Sequence, residues 1–568
     1  MDGLAVAPAS ERTAPPLQRD DVRRWGIRVG WVLLIAPFLF EAVAILRADD
    51  AWLVVRTPDD AFYYLEIARR IGAGDGFTFD GVHATNGFHP LWQLVLAGVG
   101  LLLPGQTAFL RASLLLCLLC LLAATLLIVR LVWRWLGPGA ALLGGILVAH
   151  GRAAMPSYVD GMEGTLALLA LAGLATAMVW WARRPGAGRA VVVGVLAGVA
   201  VLARLDLAVV VWIVPVAMLL RDRRWRWLGW WSLGAAVAVP WFAWFWFRYH
   251  HLLTTSATVK QDEIAQLAQR RFGGRLTGGY LHYVWRTGDA YVRLLTASAN
   301  DSVVSRSGVL GWLTGLAITV LALVGVAVFW WQRRRGGRRH PVGPTLVDPA
   351  TGVAWAMATM GVVLVAKAVF DLVNLPVWAE TWYSIPQRFA LCFAAGAATW
   401  LAVEWLFERA PRLGAVVAVL LVLFVLPMNV GSAVNSSTDP RFDFAWQDAI
   451  DSAATWVREH GPPGRYGARD AGLVGYRLDG RRDVVNLDGL VNDYAFGQRL
   501  ARGDSLRELI AASDVDYYVN RIPPQDMAGL SCGKVLWTSP GRVDNDDGPG
   551  GTTTSAPIYV LDVRGCRS

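Results

Sequence analysis

A polytopic α-helical membrane protein with about 11–13 spans and a C-terminal extracytoplasmic α/β domain is the fold class that three observations predict. The 568 residues are 55% hydrophobic and 17% charged, with mean hydropathy +0.40, which argues against a water-soluble multidomain chain and excludes a disordered one. Long apolar runs recur between residues 26 and 429, divided by short polar or Arg-rich stretches. Past residue 430 the runs stop and the charge changes sign: residues 1–429 carry 38 Lys and Arg against 25 Asp and Glu, and residues 430–568 carry 15 against 19.

Residues 1–24 are polar, charged and Pro-containing, and read as a disordered cytoplasmic tail. The run Gly26–Leu46 is too long for the apolar centre of a signal peptide and lacks a small-residue cleavage site, so it reads as an uncleaved first span. Further runs lie near 89–104, 109–132, 139–155, 164–182, 190–203, 206–220, 228–247, 308–331, 352–373, 386–407 and 413–429. Arg183, Arg184 and Arg189, the Arg221–Arg226 stretch, Arg333–Arg335 with Arg338 and Arg339, and Arg409 with Arg412 mark cytoplasmic loops. Segments 48–88, 156–163, 248–303, 374–386 and everything after 430 then face outward, in a multi-pass protein of the cytoplasmic membrane whose N-terminus is cytoplasmic. Twelve spans would end inside, so one run is expected to be split or to be a short or re-entrant element; 89–104 is the weakest, well short of a ~30 Å hydrocarbon core. Membrane domain 25–429 and outward domain 430–568 are the expected divisions.

Only three lysines occur, Lys260, Lys367 and Lys534, so nearly all positive charge is Arg spread over loops, and no nucleic-acid surface is expected. Cys117 and Cys120 form a C-x-x-C inside a Leu-rich span, where apolar packing is the natural role, while Cys532 and Cys566 fall in the outward tail and can form a disulfide. The absence of a Walker A loop and of a strand-borne G-x-G-x-x-G argues against a nucleotide cofactor.

The first outward loop carries the densest chemistry. Thr57 as N-cap, Pro58 at the first helical position and Asp59-Asp60 in the first turn predict a helix through Arg70, amphipathic and lying in the interface, which Gly72, Gly74 and Gly76 end. The two aspartates suit a helix N-terminus and its dipole; they equally suit a base or a metal ligand at the membrane surface. Asn86, His89 and Trp92 then offer an amide, an imidazole and a ring where the chain re-enters the bilayer, a set suited to sugar hydroxyls and ring faces. Asp160 and Glu163 stand at the outer end of an apolar run, and Arg204 with Asp206 at a span boundary. Carboxylates at membrane depth are costly and usually line a cavity, so several converging on one side argue for a site. Lys260, on outward loop 248–303, and Arg388, at the outer start of a span, are phosphate-ligand candidates, although Lys260 equally suits a snorkelling side chain. Lys367 and Asp371, four apart in a span, read as an internal ion pair.

On Asp59-Asp60 with the following helix and glycines, Asn86-Gly87-Phe88-His89-Pro90, Asp160-Gly161-Met162-Glu163 and Arg204-Leu205-Asp206, the first ~220 residues resemble the GT-C glycosyltransferases, by motif order and span pattern. Within that family the chain looks most similar to actinobacterial envelope enzymes such as the arabinofuranosyltransferases. It has Asp-Asp where the protein O-mannosyltransferase and aminoarabinose-transferase branches have Asp-Glu. The resemblance implies transfer of a sugar from a polyprenyl-phosphate donor to a cell-envelope glycan or glycolipid acceptor at the outer face of the lipid bilayer. It favours Asp59 as general base, with Asp60 orienting an acceptor or binding a cation, and Glu163 as the second acidic position with Asp160 as its competitor. It also implies that Asp59 and Asp60 can hold a divalent cation, Mg2+ or Mn2+, since some members use one and others do not. One carboxylate base and no nucleophile would give inversion. The competing class is a transporter or flippase of lipid-linked saccharides, which would place charges at mid-membrane in two repeated halves; no such repeat is visible, and the acidic residues fall at outer span ends.

In the tail, Trp446, Ile450, Ala453, Ala454 and Val457 at helical spacing predict a helix over Asp443–His460, and strands are expected around Tyr466–Arg469, Val484–Leu487, Val515–Val519 and Ile558–Val563. Asp470–Tyr476 and Asn486–Asp493 supply polar groups at strand ends, either as turn chemistry or to bind an acceptor glycan, and 544–551 reads as a loop.

Overall fold

The computed structural model describes residues 19–149, 155–284, 352–374, 381–414, 416–417, 447–478, 480, 482–522, 528–540 and 557–567. The expected span near 308–331, most of 413–429 and the loop 544–551 lie outside them.

Six described helices are long and apolar enough to cross a membrane: Arg24–Arg47, Gln106–Leu136, Gly164–Arg183, Arg226–Tyr249, Val353–Asn374 and Trp382–Arg409. The protein is a multi-pass membrane protein. Three apolar helices are shorter, Pro90–Leu102, Pro138–Val148 and Ala187–Ala203. Pro90 at the first helical position starts the first of these, and its 13 residues reach only about 20 Å. Without a hydrophobic drive between helices in lipid, close packing depends on small residues. Ala187–Ala203 accordingly meets Arg226–Ala235 glycine to glycine: a Cβ on Gly194 would stand 2.0 Å from the Trp231 carbonyl oxygen, and one on Gly234 2.0 Å from that of Val191.

Between the first span and Pro90–Leu102 the chain forms two helices, Asp50–Val55 and Asp59–Ala73. The second begins one residue later than the sequence suggests. Pro58 is its N-cap, while the Thr57 hydroxyl turns back to donate to the Leu53 carbonyl at 2.7 Å. Gly74, at φ 91°, ends it as a left-handed cap. The helix does not lie in an interface with one wet face: every residue from Ala61 to Ala68 is buried, because Pro90–Leu102 packs on one side and the C-terminal helix Gly472–Leu478 on the other.

The C-terminal unit is a five-stranded mixed sheet of β1 (Tyr466–Ala468), β2 (Val484–Asn486), β3 (Tyr517–Asn520), β4 (Lys534–Thr538) and β5 (Tyr559–Asp562), in the order β2-β1-β3-β5-β4. β1 pairs parallel with β2 and β3, and β5 runs antiparallel to β3 and β4. Helix Gln447–His460 buries Ile450, Ala453, Ala454 and Val457 at the expected spacing. β4 is the strand the sequence does not signal: it is an edge strand, largely exposed, with a bulge between Val535 and Trp537. Cys532 and Cys566 form a disulfide that ties the approach to β4 to the end of the chain.

Candidate active site

A cavity of about 80 Å³ opens where the helix Asp59–Ala73, the start of Pro90–Leu102, the loop before Gly164 and the helix Thr255–Phe272 meet. Asp60, His89, Glu163, Arg204 and Lys260 line it, together with Tyr63, Tyr64, Thr254, Ser256, Trp382, Tyr383, Leu490 and Val491. Five residues singled out along 200 positions of sequence thus converge on one space.

One wall is cationic. The Arg204 guanidinium is buried, donating through Nη1 to Glu163 Oε1 at 2.7 Å and through Nε to both oxygens of Asp206 at 3.0 and 3.1 Å. Lys260 lies in the second turn of Thr255–Phe272, a helix whose N-cap Thr254 accepts from the Ala257 amide. Its Nζ donates to the Tyr383 hydroxyl at 2.9 Å. Burial alone would lower the pKa of Lys260, but Tyr383 and Asp60 hold it above the ordinary value, so the ammonium stays charged. The helix start at Thr254–Ser256 adds its dipole to the same wall.

Asp60 lines the same cavity. Burial raises its pKa, the charges of Asp470 and Glu163 add to that, and Lys260 opposes them. His89 lines it as well: its Nδ1 accepts the Leu205 amide at 3.1 Å, which assigns the proton of the neutral ring to Nε2, 3.5 Å from Glu163 Oε1.

Asp59 points elsewhere. Its two carboxylate oxygens accept the backbone amides of Gly472 and Leu473, each at 2.8 Å, at the start of the tail helix Gly472–Leu478. Burial and the charge of Asp470 push its pKa well up, while the two amides pull it back. A Cβ on Gly472 would lie 2.2 Å from the Asp59 carbonyl oxygen, so only glycine allows this approach. Beside it, the Tyr63 hydroxyl joins Asp488 at 2.6 Å and receives the Ala471 amide at 3.1 Å and the Asn486 side-chain amide at 3.0 Å. The polar stretches Asp470–Tyr476 and Asn486–Asp493 therefore serve mainly as a docking surface for the first-loop helix, and Leu490 and Val491 supply a wall of the cavity itself.

Three further site candidates frame the cavity without lining it. Asn86 is a staple, its Oδ1 accepting the Thr255 amide and its Nδ2 donating to the Tyr494 hydroxyl, both at 2.9 Å. Asp160 is buried in the turn before Glu163 and accepts the Met162 amide at 2.9 Å. Arg388 grips that same turn, donating to the Ser157 hydroxyl at 2.7 Å and carbonyl at 3.1 Å. Trp382 and Tyr383 were not singled out from sequence; an aromatic pair at the head of a span is a weak signal without the knowledge of what packs on it.

Both oxygens of Asp59 are engaged by amides, and among the described residues no three His, Cys, Asp or Glu side chains stand close enough to hold a metal ion.

Comparison of the whole chain with solved structures matches ArnT from Cupriavidus metallidurans bound to undecaprenyl phosphate, with TM-score 0.52 and 17% identity over 95% of this chain and 99% of that one. The chain has the GT-C fold. It also matches the oligosaccharyltransferase of Archaeoglobus fulgidus in the apo form, with TM-score 0.51 and 14% identity over 87% and 69% of the two chains. The same enzyme tethered to an acceptor peptide gives TM-score 0.52 at 13% identity, over 93% and 74%. A further structure of it, with TM-score 0.51 at 14% identity over 87% and 67%, is a complex with Zn and sulfate. No family profile and no curated protein matches the sequence.

Proposed function

We propose that this protein is a membrane glycosyltransferase that moves a sugar from a polyprenyl-phosphate donor to a hydroxyl of a cell-envelope glycan or glycolipid. The observation that carries the reading is the pairing, in one cavity, of a carboxylate with raised pKa, Asp60, and two buried cations, Lys260 and Arg204. The GT-C fold and the undecaprenyl phosphate bound to ArnT support a lipid-phosphate donor.

Asp60 takes the proton of the acceptor hydroxyl as its oxygen attacks the anomeric carbon. The bond from that carbon to the phosphate oxygen breaks, and the electron pair leaves with the lipid phosphate, whose charge Lys260, Arg204 and the Thr254–Ser256 helix start receive. A donor already carrying its leaving group needs no nucleotide, and one displacement inverts the anomeric centre. A raised pKa makes Asp60 a stronger base than an exposed aspartate. Asp59, occupied by two amides, holds the tail on the site instead. The Arg distribution supports a cytoplasmic N-terminus in the cytoplasmic membrane, which sets the cavity and the tail on the outer side.

The test offers the purified protein a panel of decaprenyl- and undecaprenyl-phosphate sugars with envelope glycan acceptors. Transfer that Asp60→Asn abolishes supports the reading. No transfer from any donor, with saccharide lipid instead crossing protein-containing vesicles, would replace it with the flippase reading.

A further inference from the structure

The cavity cation Arg204 is held between two carboxylates, Glu163 and Asp206. A fourth group bears on how these three are held. Lys367, fully buried in the span Val353–Asn374, places Nζ 3.0 Å from Asp206 Oδ2, on the carboxylate that also accepts from Arg204 Nε. Its other contacts are Asp371 Oδ2 at 2.7 Å and the Tyr383 carbonyl oxygen at 3.0 Å. The expected internal ion pair is present, but it is one end of a longer chain: Glu163, Arg204, Asp206, Lys367, Asp371. With three acceptors around three N–H groups, the ammonium is a fixed strut rather than a mobile charge.

Lys367 reaches both cavity cations by separate routes. Through Asp206 it fixes the Nε edge of Arg204 and shares that carboxylate's charge. Through the Tyr383 carbonyl it fixes the residue whose hydroxyl receives Lys260 Nζ and whose ring lies 4.9 Å beneath the Arg204 guanidinium. Lys367 itself does not line the cavity.

We propose that Lys367 is a positioning residue that sets the anion affinity of the cavity from inside the membrane, by holding Asp206 and Tyr383, and through them Arg204 and Lys260, in place. This rests on the lipid-phosphate reading of the cavity. A purely structural ion pair makes a different prediction, because an ion pair exchanged for apolar residues of similar volume is often neutral for stability.

The experiment measures binding of undecaprenyl phosphate, without a sugar, to the full-length protein in detergent, alongside its thermal unfolding. The variants are Lys367→Met with Asp371→Leu, which deletes the pair as a neutral unit, and Asp371→Asn alone, which leaves Lys367 on Asp206. The double variant is expected to bind about tenfold or more weakly, with the donor KM rising and kcat held within a few-fold; Asp371→Asn is expected within about threefold of wild type. Should the double variant not fold, Lys367→Gln with Asp371→Asn keeps the polar shape without charge and takes its place. Wild-type affinity in the double variant, or equal weakening in Asp371→Asn, overturns the proposal. Since the probe carries no sugar, absence of transfer by wild type would count against the glycosyltransferase reading alone.

Discussion

Asp59→Asn and Asp60→Asn should separate cleanly, and in the direction opposite to what the family resemblance favours. Asp60 lines the cavity and is only partly buried, so its amide variant should fold with stability within about 1 kcal/mol of wild type. Loss of a general base costs about 10²–10⁴ in rate, or roughly 3–5 kcal/mol of barrier. Asp59 instead accepts two amides at 2.8 Å in a buried setting. Asn offers one oxygen, so one backbone N–H would face the side-chain NH2, at a cost of roughly 1–3 kcal/mol for a buried donor left without an acceptor. That loss should appear as a lower unfolding temperature and faster proteolytic release of the tail, with activity falling in step and recovering on cooling. Initial transfer rates, thermal unfolding and limited proteolysis on the same three preparations decide it. If Asp60→Asn keeps more than about a tenth of wild-type rate while Asp59→Asn is inactive at unchanged unfolding temperature, the division of roles is refuted.

Gly472→Val should loosen the tail, since even a Cβ there would sit 2.2 Å from the Asp59 carbonyl oxygen; Gly188→Ala, with nothing within 4 Å, is the matched control for protease sensitivity. The acid limb of kcat/KM should move to higher pH in Lys260→Met, which removes the cation lowering the Asp60 pKa, and to lower pH in Asp470→Asn, which removes a charge raising it. Asp160 is pushed by burial to about 7 from an ordinary 3.8, so its protonated form is the one the fold prefers. Its contribution is complete below the unfolded pKa and is lost as pH rises through about 7, on the order of 4 kcal/mol in total. The unfolding temperature of Asp160→Asn should therefore gain on wild type between pH 5 and about pH 8.

The membrane body was legible because hydropathy and Arg distribution are properties of single segments, and four of the five tail strands and the helix ending at His460 follow from alternation and helical spacing in the same local way. Asp60, Glu163 and Arg204 were legible as charges near a membrane, which are costly unless they converge, His89 as an imidazole suited to sugar hydroxyls, and Lys260 as a phosphate-ligand candidate. The division between Asp59 and Asp60 was not, because it depends on where Gly472 and Leu473, over four hundred residues later, place their amides. The same holds for Tyr63, whose hydroxyl looks like any helix tyrosine until Asp488 and Asn486 meet it. β4 escaped notice for a local reason: an exposed edge strand has no buried face to impose alternation.

Helix geometry accounts for the split of the acidic pair. Successive residues on a helix point about 100° apart, so neighbours in sequence do not face one another. With Asp59 and Asp60 at the first two helical positions, one carboxylate turned toward the cavity leaves the other turned toward whatever packs on the adjacent face, and here that is the tail helix at Gly472. The pair thus joins two surfaces. Asp60 lines the cavity, and Asp59 contacts the domain whose Leu490 and Val491 line the same cavity. On the proposed reading Asp60 is the base, and a base works best where water is excluded, which gives the Leu490 and Val491 wall, part of the domain that Asp59 contacts, a role in the reaction. A substitution on either side of the Asp59–Gly472 contact is therefore expected to act both on the docking of the tail and on the cavity that Leu490 and Val491 line.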